Sequence, residues 1–111
     1  DCEEHDRIFA AVSHLPHLVA YSMVNCLLTI EGFDDNIFSF SAGGFKDFSR
    51  IAASHPEMWK DILLMNKDKV LPALTVFQKY VGELKDAIER DDADKLLAEF
   101  NRARVFRRLL K

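Results

Sequence analysis

The sequence has no excess of basic charge, no glycine-rich phosphate loop and almost no cysteine. Each absence removes a class of function. A formal net charge of −3 over 111 residues lacks the strong basic excess of a nucleic-acid binder, so no nucleic-acid partner is expected. No GxGxxG occurs, and no segment alternates apolar and polar residues as a strand does, so the chain carries no dinucleotide-binding unit of its own. Neither HExxH nor paired cysteines at metal spacing are present, and no metal is expected. Cys2 and Cys26, the two cysteines, lie far apart. They fit a reducing compartment, and a cytoplasmic location is expected. Cys26 sits in an apolar run and is expected to be a buried free thiol. No signal-peptide pattern, internal repeat, low-complexity tract or linker is read within these residues.

What is present is one domain's length of chain, 49% apolar and 30% charged, enough to build one core. A single domain over 1–111 is expected. The chain opens at Asp1 rather than a methionine, and its first residues read as a helix already under way. The expectation is a piece of a longer protein whose missing part lies on the N-terminal side.

The pattern is all-α, with about five helices and a long, kinked first one. That helix should run from about Glu3 to Ile30, kink at Pro16 and stop near Gly32. A loop follows over 33–44, then a short helix from about Phe45 to Ala53. The next helix should begin at SHPE, with Ser54 and Glu57 as a capping box and Pro56 in the first turn, and reach Met65. A long amphipathic helix follows, roughly Lys69 to Arg90, with Val70, Leu71, Leu74, Phe77, Val81, Leu84 and Ile88 on one side. Asp91 and Asp92 break it and cap the last helix, Ala93 to Leu110, whose Leu96, Leu97, Phe100, Ala103 and Phe106 repeat at helical spacing. Its basic residues Arg102, Arg104, Arg107, Arg108 and Lys111 read as a solvated face.

Ile8 to Ile30 contains no Asp, Glu, Lys or Arg and has the length of a membrane span. Its histidines, serines, Tyr21 and Asn25 make it too polar for lipid, so burial in protein is expected. On a helical wheel Asp6, Ser13, His14, His17, Tyr21 and Asn25 share one sector of roughly 120°. A solvated stripe would carry Lys and Glu. This one carries neutral donors and acceptors, as a polar pocket does. His14 and His17 could ligate a metal only without help, because His5 and Asp6 lie about three turns away.

Gly43 and Gly44 open the short helix, where adjacent glycines allow a tight turn and close approach of a ligand. Arg50 shares that helix's polar face with Lys46, Asp47 and Ser54. From spacing alone the simpler account of Arg50 is a surface ion pair with Asp47 at i, i+3. Trp59, the lone tryptophan, reads as a core or interface anchor.

Taken together, HD at His5–Asp6, SHLPHLVA at Ser13–Ala20, GGFKDFSRIAASHPEMWKDI at Gly43–Ile62 and Asn66 resemble the C-terminal helical domain of prephenate dehydrogenases. Arogenate dehydrogenases share the architecture, and the fold class is that of the helical domain of 6-phosphogluconate dehydrogenase-like enzymes. The likeness is tight to Asn66 and only a pattern of amphipathic helices beyond it. His55 departs from it, aspartate being commoner there.

The resemblance implies an enzyme of tyrosine biosynthesis that oxidatively decarboxylates prephenate to 4-hydroxyphenylpyruvate with NAD⁺ or NADP⁺. In such enzymes a preceding Rossmann domain binds the cofactor and carries the catalytic histidine. This chain would then hold no catalytic residue and be inactive alone. It would supply the substrate-side wall and a homodimer interface. By position, Arg50 would bind a prephenate carboxylate, and Ser13, His14, His17 and Trp59 would line the pocket. Asp6, Asp47, Gly43 and Gly44 would support it. Tyrosine would compete there as feedback inhibitor. Prephenate and arogenate differ at one side-chain carbon, and both stay open as substrates. A competing class is a helical module built only to dimerise. Against it stands the polar stripe, which a bare dimer seam would not bury without ligand or water.

Overall fold

The computed structural model describes residues 1–110 and is all-helical, with no strand among them. Lys111 of the expected basic face lies outside the described residues. In chain order the helices are α1 (Cys2–Phe9), α2 (Leu15–Thr29), α3 (Gly43–Ser49), α4 (Pro56–Met65), α5 (Lys67–Glu89) and α6 (Ala93–Arg107). A π-turn at Ala10–His14 joins α1 to α2 without a break, so the two form the expected long first helix. Two 3₁₀ turns, Asp35–Phe40 and Arg50–Ala53, complete the set. No helix among the described residues is long and apolar enough to cross a membrane.

The chain resolves into two compact units, Asp1–Leu74 and a second from Thr75 onward. In the first, the long helix is capped by Asp1, whose carboxylate accepts from the Glu3 N–H at 2.8 Å. The disturbance expected from Pro16 appears one turn early, as the π-turn. Pro16 has no N–H to offer the turn before it, and the wider turn accommodates that loss, with the Leu15 N–H bonding back to the Ala10 carbonyl. The helix stops at Thr29, and a β-turn from Ile30 to Phe33 follows (Phe33 N–H to Ile30 O, 3.0 Å). Gly32, at φ +89°, holds its third position, a conformation glycine adopts without strain.

Helix α4 starts one residue later than expected. Pro56 drives the residue before it out of the helical region, so His55 is extended (φ −61°, ψ 113°) and becomes the N-cap, its Nδ1 accepting from the Met58 N–H at 3.4 Å. The Ser54–Glu57 capping box therefore does not form. Gly43 and Gly44 sit in the first turn of α3 without left-handed φ, and a Cβ on either would meet nothing. The backbone itself does not demand glycine at these positions.

The second unit turns on a Schellman motif. Asp91 is left-handed (φ 53°), the Asp92 N–H reaches the Ala87 carbonyl at 2.9 Å and the Asp91 N–H reaches Ile88 at 3.1 Å. Asp92 then caps α6 by accepting from the Lys95 N–H at 3.0 Å. Tyr80 of α5 and Arg102 of α6 both donate to Oε1 of Glu99, at 2.8 and 2.9 Å. The expected apolar side of α6 is not covered: Leu97, Phe100 and Phe106 are exposed, and Leu96 is half-buried.

Buried apolar side chains are few among the described residues: Ala10, Ala20, Trp59, Val70 and Ala87. The first helix does not sort simply into a buried apolar and an exposed polar side. Its polar residues Ser13, His14, His17 and Tyr21 are half-buried, while Ile8, Val12, Met23, Leu28 and Ile30 are exposed. Cys26, expected to be buried, is exposed on the same helix. A stripe of unpaired apolar side chains along a helix of this length marks an interaction surface.

Candidate functional site

The middle of the polar stripe, Ser13, His14, His17 and Tyr21, is half-buried against the following helices and turns, while Asp6 and Asn25 at its ends are exposed. Tyr21 donates from its hydroxyl to the Ser54 carbonyl at 2.6 Å. This tie holds the 3₁₀ turn Arg50–Ala53, which packs on α2. His17 lies flat on Trp59, ring centroids 3.6 Å apart at 16°, and His14 meets the same indole edge-on at 6.0 Å and 74°. Trp59 is 8% exposed and so forms the floor under both histidines.

The hydrogen bonds settle which nitrogens carry protons. His17 Nδ1 lies 2.8 Å from the Ser13 carbonyl. A carbonyl only accepts, so Nδ1 of His17 holds the proton and a neutral ring keeps its lone pair on Nε2. His14 is the reverse. Asn66, the one buried polar residue among those described, donates from Nδ2 to the Asp6 carbonyl at 2.8 Å and faces His14 Nδ1 at 3.2 Å. The neutral His14 therefore carries its proton on Nε2. Burial pushes the His14 pKa below the ordinary histidine value, His17 adds to the effect and Asp6 opposes it. At neutral pH His14 is uncharged. His14 therefore presents a donor at Nε2, and His17 keeps its Nδ1 proton on the Ser13 carbonyl.

A cleft of about 330 Å³ opens beside His14, lined by His5, Asp6, Phe9, Ile62, Met65 and Asn66. The Asp6 carboxylate is exposed and lies 3.2 Å from His5 Nδ1. Among the described residues no three His, Cys, Asp or Glu side chains gather as a metal site.

Arg50 is exposed at the α3–3₁₀ junction, and neither it nor Asp47 makes an ion pair among the described residues. The surface pair that spacing suggested is absent, which leaves the guanidinium available. The structure thus joins Asp6, Ser13, His14, His17 and Trp59 in one contact network. It places Arg50, Asp47, Gly43 and Gly44 on the neighbouring α3 segment with no direct contact to the histidines. Sequence reasoning gave no role to Asn66. Its signal was an asparagine between two apolar helices, where a polar side chain with no partner would be costly.

An all-helical domain with half-buried histidines on a tryptophan floor and large apolar side chains left exposed on the same helix has the form of an assembly domain. The chain belongs to the prephenate dehydrogenase family: residues 1–102 match the family described as "Prephenate dehydrogenase, dimerization domain". It is 40% identical to prephenate dehydrogenase of Bacillus subtilis (strain 168) over 95% of this chain and 28% of that protein. It is 38% identical to cyclohexadienyl dehydrogenase of Zymomonas mobilis over 98% of this chain and 38% of that one. The crystal structure of prephenate dehydrogenase from A. aeolicus, in complex with hydroxyphenyl propionate and NAD⁺, superposes with a TM-score of 0.89 at 39% identity, covering 98% of this chain and 38% of that one. The chain spans between 28% and 38% of the length of these proteins.

Proposed function

We propose that this chain is the substrate-side and dimerisation part of a cytoplasmic prephenate dehydrogenase in tyrosine biosynthesis. The observation that carries the reading is the uncharged His14, held with His17 on Trp59, together with an unpaired Arg50 on the segment that packs against α2. A dianionic substrate needs one fixed cation and neutral donors around it in a partly dry cleft. Arg50 grips a carboxylate, the His14 Nε2–H donates, and Ser13 and His17 complete the wall, with tyrosine competing for the same groups. The NAD⁺ or NADP⁺ that accepts the hydride finds no strand and no glycine-rich turn among the described residues. It would be held elsewhere in the full-length protein, and this chain's part would be to bind and orient the substrate.

The test is an assay of the full-length protein with prephenate and with arogenate, each with NAD⁺ and NADP⁺. Prephenate-dependent cofactor reduction with CO₂ release is expected, and tyrosine should inhibit it. Faster turnover of arogenate would favour the second reading, which the similarity to a cyclohexadienyl dehydrogenase keeps in view. No turnover of either substrate would defeat both.

Assembly is tested separately. The bare apolar stripe on the first helix should be covered by a second copy across a two-fold axis. Light scattering at micromolar concentration should give twice the chain mass, and a monomer would sink the assignment of that face.

A further inference from the structure

Asn66 closes α4 and opens α5. Its N–H bonds the Ile62 carbonyl at 3.1 Å, and its own carbonyl accepts from the Lys69 and Val70 N–H groups at 3.0 and 2.9 Å. The backbone is thus fixed on both sides of that junction, and the buried side chain projects from a set position. The Asp6 carbonyl fixes which way the amide faces, because a carbonyl accepts and only Nδ2 donates. The second hydrogen of the same NH₂ then points to His14 Nδ1. A nitrogen that accepts this hydrogen cannot carry one. One buried amide, reaching across 60 residues of sequence to Asp6 and 52 to His14, thereby determines the protonation pattern of a ring on another helix.

We propose that Asn66 is a positioning residue that locks His14 in its Nε2–H tautomer, so that His14 meets the anionic substrate as an uncharged hydrogen-bond donor. The proposal rests on the reading that this face binds prephenate. The lock has chemical value because an unfixed imidazole offers either a donor or a lone pair at Nε2, and a lone pair would repel a carboxylate or ring hydroxyl oxygen. The groups that face His14 are Asp6 and His5 from α1 and His17 from α2. From α4 only the uncharged Trp59, Ile62 and Met65 approach it.

The wild-type full-length protein decides first. Its ¹⁵N histidine spectrum, with the His14 signals assigned by their loss in His14→Gln, should show Nδ1 unprotonated and Nε2 protonated above the His14 pKa. The opposite pattern overturns the proposal. Asn66→Asp then inverts the lock. A carboxylate accepts from Nδ1–H, so neutral His14 would present a lone pair at Nε2, and its pKa should rise by about one unit or more beside the new charge.

In wild type Nε2 bears hydrogen whether His14 is neutral or charged, so kcat/KM for prephenate should not fall as His14 loses its proton. In Asn66→Asp only the imidazolium donates from Nε2, and kcat/KM should drop about tenfold (about 1.4 kcal/mol) as pH rises through the raised His14 pKa. A merely structural role would lower activity evenly across pH, and that result overturns the proposal. An inverted tautomer with an unchanged pH profile overturns it too. In that case Arg50→Ala separates the two failures. A strong rise in KM keeps the prephenate reading and removes only Asn66 and His14 from it, whereas no rise removes the reading itself.

Discussion

Arg50→Ala in the full-length protein should raise KM for prephenate strongly and leave kcat far less affected. The expected loss in kcat/KM is roughly 2–4 kcal/mol, the cost of truncating one partner of a charge contact that substrate binding desolvates. Arg50 makes no ion pair among the described residues, so no internal carboxylate competes with the substrate for it. Its guanidinium offers two parallel N–H donors to a carboxylate, a geometry that a lysine ammonium cannot copy. Arg50→Lys should therefore recover only part of the loss. On the proposed reading the carboxylate gripped should be the side-chain one, since the ring carboxylate leaves as CO₂ and a firm hold on it would oppose the reaction. That contact is the same before and during the chemistry, so its loss is one of uniform binding and falls on KM. Tyrosine carries a carboxylate in the matching position, and its inhibition should weaken in both variants. Steady-state kinetics with prephenate check this. A KM within about twofold of wild type, below 0.5 kcal/mol, would return Arg50 to the role of a surface arginine.

The helices were legible in the sequence because their signals are local. Spacing, Asp92 as a cap and Gly32 past the first helix place the elements to within a few residues. The capping box failed for a local reason: Pro56 acts on the residue directly before it and hands the cap to His55 rather than Ser54. The disturbance expected at Pro16 is present, as the π-turn that directly precedes it. The polar stripe was legible as a stripe. Its partners were not, because Asn66, Trp59 and Ser54 reach it from helices and turns far along the chain, and wheel geometry holds no information on such contacts. Cys26 and the apolar side of α6 failed for another reason. Hydrophobicity marks a surface for burial without saying whether the same chain or another covers it.

Trp59→Ala should be the most destabilising single change in the first unit. Trp59 is the largest of the buried apolar side chains, at 8% exposure, beside two alanines and Val70 in the same unit. No other large apolar side chain of this unit is buried, and truncation leaves both a transfer loss and a cavity, together about 3–5 kcal/mol. That is a large share of the ~5–15 kcal/mol that separates a folded domain from its unfolded chain. The loss also reaches the site, because His17 rests flat on the indole at 3.6 Å. Without that floor, only the Nδ1 bond to the Ser13 carbonyl restrains the ring. Trp59→Phe keeps an aromatic face under His17 and removes less volume, so it should cost less than half as much and leave substrate binding closer to wild type. Urea unfolding by far-UV circular dichroism is the measurement, since the variant removes the only tryptophan and with it the fluorescence signal. The comparison must hold protomer concentration fixed, because a dimer's stability depends on it. A loss below about 1 kcal/mol, the size of an average point mutation, would show that the core of this unit is anchored elsewhere and that the stack on His17 is incidental to the fold.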